Sequence, residues 1–139
     1  MKNDKTTTLH SAYLNTHYRI PALHLIVRAN SRNPKLDAHM IQHACRSCTI
    51  ITACNPKSKL LSKEANQIRN EHLLRDIELL KLPFELSKAE AIEINSWPVE
   101  DGFCIFDIDV STVVRLARKY EQNAVLYMKL QESSRLLWI

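Results

Sequence analysis

The sequence predicts one α+β domain built on a ferredoxin-like (βαββαβ) sheet, with an N-terminal strand–helix extension and one extra C-terminal strand. Three observations carry this expectation. From residue 48 onward, short β-branched or aromatic runs and two amphipathic stretches follow in the order strand, helix, strand, strand, helix, strand, strand, which is the split βαβ arrangement with one strand added. The 139 residues contain no internal linker and no repeat, which suits one core. Apolar residues make up 45% and charged residues 24%, the balance of an ordinary globular chain. The expected organisation is a disordered polar tail over 1–11 and a single domain over 12–139.

Each element has a local reason. "AYLNTHYRI" (12–20) and "ALHLIVRA" (22–29) are rich in aromatic and branched residues and read as extended, with Pro21 as a break. "NPKLDAHMIQHA" (33–44) reads as a helix capped by Asn33, with Pro34 at its first position and an apolar stripe of Leu36, Met40 and Ile41. "CTIITACNP" (48–56) is a buried strand ended by Asn-Pro. Ser62 caps a long helix over about 63–81, with Glu64 in its first turn, and Pro83 stops it. "AIEIN" (91–95) alternates like a half-buried strand, and "GFCIFDID" (102–109) like a more buried one. Asp109 caps a helix reaching about Tyr120, with Val113, Leu116, Ala117 and Tyr120 on its inner stripe. "NAVLYMKL" (123–130) and "SRLLWI" (134–139) are strands joined by the turn "QESS".

Composition excludes several functions. With a single glycine, a glycine-rich phosphate loop is ruled out, and turns must rely on Asn, Asp, Ser and Pro. No apolar run approaches a membrane span and "MKNDKTTT" is no signal peptide, so a cytoplasmic protein with no membrane partner is expected, its four cysteines as thiols. Six of the Lys and Arg residues fall within 1–35 against Asp4 alone, a basic segment that could steer toward nucleic acid or another anion. The plainer reading is a solvated surface. No feature specifies an oligomeric state.

The stretch "HMIQHACRSC" (39–48) carries ligand-type residues: His39 and His43 share a helix face, and Cys45 and Cys48 follow at C-x-x-C spacing. The cysteines straddle a helix–strand junction, and a structural zinc site draws on two separated pairs, so no metal and no cofactor is expected here. Asp107 and Asp109 alternate at a strand end, but Asp109 is needed as a cap. G-x-S-x-G and H-E-x-x-H are absent, and no cysteine has a clearly paired histidine, so no catalytic residue is assigned.

Read together, "AYLNTHY" (12–18), "LDAHMIQHACRSCTIITACNPKSKLLSKEANQIRNEHLLRDI" (36–77), "WPVEDGF" (97–103) and "EQNAVLY" (121–127) resemble the bacterial family catalogued as domain of unknown function 3293. The resemblance spans most of the chain through the order of its motifs. The chain departs from that pattern at Cys54, where tryptophan is usual, at Ala65, at Asp101-Gly102, and at Glu121, which replaces a glycine. It implies a fold and a set of residues but no reaction.

Those residues converge on one corner. Asn66, Arg69, Leu73, Ile77 and Leu80 lie along one face of the 63–81 helix, so an Asn and an Arg occupy the N-terminal end of an apolar stripe, where they must find partners. Thr52, Asn55 and Pro56 end the preceding strand one loop away. Strand ends and helix starts in α/β units favour anions. Thr52, Asn55, Asn66, Arg69, Glu100 and Gln122 are therefore the candidate binding residues for a small anionic or nucleotide-like ligand, with Glu100 as the expected ionic partner of Arg69. The competing reading is a structural polar network that pins the "SWPVED" loop, with Asn55 making only a turn. Trp97 is read as a loop anchor, and Gln122 and Asn123 either line the pocket or end the helix. Two other function classes remain: a nucleic-acid-binding module, which lacks the aromatic pattern of RNA-binding sheets, and a non-catalytic interaction or assembly module.

Overall fold

The computed structural model describes residues 4–93 and 95–139. Along the chain come α1 (Asp4–Leu14), β1 (Thr16–Ile20), β2 (Leu25–Val27), α2 (Pro34–Gln42), β3 (Ser47–Ile51), α3 (Lys63–Leu79), β4 (Phe84–Ala91), β5 (Glu100–Phe106), α4 (Val110–Lys119), β6 (Ala124–Lys129) and β7 (Arg135–Trp138). The strands form one antiparallel sheet in the order β2-β1-β4-β5-β3-β6-β7, curled as a half-barrel.

This overturns the ferredoxin-like expectation. The N-terminal strands do not cover a four-stranded unit but continue its sheet: β1 pairs with β4 from Thr16 opposite Ala91 to Arg19 opposite Lys88, and β2 pairs with β1. At the other end β7 pairs with β6. The sheet carries an apolar cluster on each face, and helices pack into both. On the outer face Ile51, Phe103, Ile105 and Val125 pack against Leu73 and Ile77 of α3 and Val113, Leu116 and Ala117 of α4. On the inner face Tyr18, Ile20, Cys48, Ile50, Cys104, Phe106 and Leu126 pack with Leu36 and Met40 of α2. Alternation along β3 and β5 sends neighbouring side chains into different cores, the period-two rule at work.

Local cap chemistry sits where the sequence places it. Asn33 accepts from the Leu36 amide at 3.0 Å, Ser62 from the Ala65 amide at 3.1 Å, and Asp109 from the Thr112 amide at 2.8 Å. Two elements differ from expectation. Residues 12–14 close α1 instead of opening a strand, so the segment read as a tail over 1–11 contributes most of that helix, with residues 1–3 outside the described residues. The strand expected at 91–95 lies earlier, in "FELSKAEA". Its inward residues are small (Ser87, Ala89, Ala91) while Leu86 is exposed, so its hydrophobic pattern is inverted and hides it. Residues after Ala91 form a loop, of which Ile94 lies outside the described residues.

The stretch around the paired histidines ends α2. The His39 and His43 rings lie 4.3 Å apart, and His39 rests on Phe106 at 5.4 Å. Cys45, Cys48 and Cys104 are buried free thiols in the inner core. Among the described residues no three His, Cys, Asp or Glu side chains converge as a metal-holding group. None of the described helices is long and apolar enough to cross a membrane.

Candidate functional site

The curled sheet leaves a cavity of about 870 Å³ on its inner face. Protein interiors pack densely, so a space of this size needs a cause in the sequence. The floor supplies one: Ser87, Ala89 and Ala91 of β4 and Gly102 of β5 place the smallest side chains side by side. Gly102, the sole glycine of the chain, is held by close approach. A Cβ there would stand 2.6 Å from the Ile51 carbonyl oxygen and 3.2 Å from the Ser87 hydroxyl. Helix α1 walls the cavity through Leu9, Ala12 and Tyr13. It reaches from β1, which it directly precedes, to β7, where the Tyr13 ring meets Trp138 edge-on at 5.3 Å. The loop bearing Ile92, Ser96 and Trp97 forms a further wall.

The polar end of the cavity is the corner singled out from the sequence. β3 ends at Ile51, and the chain then passes through Asn55, Lys57 and Ser58, all in the left-handed region at φ 47°, 52° and 59°. Asn tolerates this conformation; Lys and Ser adopt it at a cost, so the loop must be held from outside. Helix α3 holds it. The Asn55 amide donates to Asn66 Oδ1 at 2.8 Å, and Asn66 Nδ2 donates back to Asn55 Oδ1 at 2.9 Å. One turn on, Asn70 Oδ1 accepts from the Ala53 amide at 2.9 Å while its Nδ2 donates to the Asp101 carbonyl at 2.8 Å. Arg69 Nε donates to the Ala53 carbonyl and its Nη2 to the Tyr120 carbonyl, each at 2.6 Å. Thr52 Oγ1 donates to the Asp101 carbonyl at 2.6 Å, which ties the exit of β3 to the start of β5.

Glu100 faces the cavity from this network. Its Oε2 accepts from Asn55 Nδ2 at 2.7 Å and from the Trp97 indole N–H at 3.2 Å. Burial pushes its carboxyl above the ordinary carboxylate range, and the two hydrogen bonds offset this only in part. Tyr18, Ala89 and Glu100 occupy one row across β1, β4 and β5. Burial raises the Tyr13 hydroxyl to about 12, and the negative charge of Glu100 adds to the rise. The Tyr18 hydroxyl is raised as well, again chiefly by burial. Gln122 is buried and donates to the Cys54 and Tyr120 carbonyls at 3.0 and 3.1 Å, and Asn123 Nδ2 donates to Ser58 Oγ at 2.9 Å.

Of the six residues expected at the site, Thr52, Asn55, Glu100 and Gln122 line the cavity; Asn66 and Arg69 stand behind it and position the loop. The expected pairing of Arg69 with Glu100 is not formed. The nearest carboxylate to Arg69 is Glu121 at 3.9 Å, and Glu100 is held by Asn55 and Trp97 instead. Trp97 is 37% exposed and lines the cavity, so it anchors its loop through a hydrogen bond and not through core burial. The residues missed by sequence reasoning are Tyr13, Tyr18, Ser87 and Gly102. The available signal was the aromatic pair in "AYLNTHY" and the lone glycine after "WPVED", but only the curl of the sheet brings them together.

A family model described as "Protein of unknown function (DUF3293)" matches residues 51–125, more than half of the chain. Comparison with curated proteins and with solved structures returns no match. The matched span runs from the end of β3 to the start of β6 and so contains the polar corner, Glu100 and Gly102, while α1 and β1 lie before it. By this match the chain belongs to the DUF3293 family of proteins of unknown function.

Proposed function

We propose that the protein binds a small, largely apolar organic molecule in the inner-face cavity, with Glu100 at the polar end. The carrying observation is the cavity itself: about 870 Å³, floored by Ser87, Ala89, Ala91 and Gly102, lined mainly by apolar and aromatic surface, with Asn55 and Glu100 among the polar groups that reach it. Small-molecule sites have this size and this division between an apolar lining and a few placed polar groups. The anionic or nucleotide-like ligand expected from the sequence is less well supported, because the charged lining residues are Glu93 and Glu100, and Lys57 and Lys59 are exposed outside the lining. A nucleic-acid role draws less support still: Arg19 and Arg32 of the basic segment are ion-paired with Glu90 at 2.9 Å and Asp37 at 3.5 Å.

The test uses N-phenyl-1-naphthylamine, a fluorophore uncharged at neutral pH. It is expected to bind with saturable one-site enhancement, and Ala89→Trp, which fills the floor, is expected to weaken binding by tenfold or more, about the loss from a blocked apolar pocket. Absence of saturable binding, or binding unaffected in a folded Ala89→Trp protein, would remove the proposal.

A further inference from the structure

Resting on the ligand-binding reading above, we infer that the cavity selects organic amines: an ammonium group meets Glu100 while an apolar body lies over the small-residue floor. Three observations on the site converge. The first is charge. Among the described lining residues the acidic side chains are Glu93 and Glu100, and no Lys, Arg or His side chain contributes. An anionic ligand would meet like charge at Glu100, which is repulsive. A cation would find an opposite charge, with no competing cation among the described lining residues.

The second is the bonding state of Glu100. Both of its hydrogen bonds arrive at Oε2, from Asn55 and Trp97. Oε1 accepts none among the described residues, although a carboxylate oxygen can accept two. The carboxylate is thus fixed through Oε2 by two donors that themselves line the cavity, and among the described residues Oε1 is left to accept. An alkylammonium supplies three donors and the compensating charge together.

The third is the aromatic surround. Trp97, Tyr13 and Tyr18 line the same cavity as Glu100, and the Trp97 indole is anchored to the carboxylate itself. Faces of Trp and Tyr attract an ammonium through the ring quadrupole, and a carboxylate flanked by such rings is a common way to recognise amines. Neutral ligands would leave Oε1 without a charged partner, so the site should rank amines above isosteric alcohols, and alcohols above acids.

The experiment titrates the wild-type protein, near neutral pH, with phenethylamine, 2-phenylethanol and 3-phenylpropanoate, which share one apolar body, and reads binding by NMR shift or calorimetry. The expected order is amine, alcohol, acid, with the amine about ten to a hundred times tighter than the alcohol, as for one charge-assisted hydrogen bond in place of a neutral one. Glu100→Gln is expected to bring the amine-to-alcohol ratio close to one. If that variant does not fold, the wild-type ranking alone decides. Equal affinity for amine and alcohol, or tightest binding of the acid, would overturn the amine inference and leave the cavity reading standing. Failure of all three compounds and of the uncharged fluorophore would overturn both.

Discussion

Asn55 and Asn66 grip each other at both ends: the Asn55 amide donates to Asn66 Oδ1 at 2.8 Å, and Asn66 Nδ2 donates to Asn55 Oδ1 at 2.9 Å. The remaining donor of Asn55 then goes to Glu100 at 2.7 Å. A left-handed loop residue is thereby fixed from the helix behind it, and it fixes a cavity-facing carboxylate in front. Asn66→Leu removes both grips and leaves the buried Asn55 partly unsatisfied. The expected loss of stability is about 2–4 kcal/mol, from two hydrogen bonds and an orphaned polar group. Chemical denaturation measures it; a loss below about 0.5 kcal/mol would show that the pair does not hold the loop.

Arg69 is a clamp between two chain segments. Its guanidinium satisfies the Ala53 carbonyl after β3 and the Tyr120 carbonyl at the end of α4, where α4's last carbonyls lack helical partners. Arg69→Met keeps the stem but strips both carbonyls of a charged donor, and is expected to lower stability by about 2–4 kcal/mol. Thermal melts check this. A variant as stable as the parent would argue that Arg69 is held at a cost to the fold, as functional charges often are.

Glu100 should show the opposite sign. Its folded carboxyl is raised above the ordinary value of 4.5, so the folded state holds this proton more firmly than the unfolded chain does. That contribution to stability is complete below the unfolded value and is lost as pH rises through the folded one. The ionised form of the side chain is therefore the one the fold disfavours, a cost that Gln does not bear. Glu100→Gln is expected to melt above the wild type at neutral pH, with the gap closing as pH falls below the ordinary carboxylate range. Melting curves at several pH values decide the sign. A variant less stable at neutral pH than at acid pH, relative to wild type, would refute it.

Glu121 occupies a left-handed position, φ 56°, directly after α4. Glycine fits that conformation without the Cβ penalty. The carboxylate gives little in return, being 56% exposed and 3.9 Å from Arg69. Glu121→Gly is expected to raise stability by about 1 kcal/mol, the usual scale of relieved left-handed strain offset by the added freedom of the unfolded glycine. A lower melting temperature would show that the Arg69 contact or the unfolded chain dominates.

What could be read from the sequence was what depends on near neighbours. Asn33, Ser62 and Asp109 announce their helices because a cap acts within three residues. Asn55 and Asn66 stand out because polar residues at strand exits and on apolar stripes demand partners, Glu100 as a charge partner for Arg69, and Gln122 as a residue that lines the pocket or ends the helix. The partners themselves were less legible: Arg69 was assigned to Glu100 on charge, whereas two backbone carbonyls within reach outweighed a carboxylate already held by Asn55 and Trp97. The curl was not legible at all. It depends on β1 joining β4 across more than sixty intervening residues, and β4 was missed because its inward side chains are too small to read as a core-facing strand. Those same small side chains leave the cavity open, so the feature that hid the strand is the one that makes the site.

Trp97 offers the most direct view of the cavity. It and Trp138 are the two tryptophans of the chain, and Trp138→Phe leaves Trp97 as the only indole while preserving an aromatic contact for Tyr13. Its N–H lies 3.2 Å from Glu100 Oε2 at the polar end of the cavity. Titrating this single-tryptophan protein with phenethylamine should shift Trp97 emission to shorter wavelength along a one-site curve, as the bound molecule displaces water from the indole. An emission spectrum that stays unchanged up to millimolar phenethylamine, 2-phenylethanol and uncharged fluorophore alike would contradict the account.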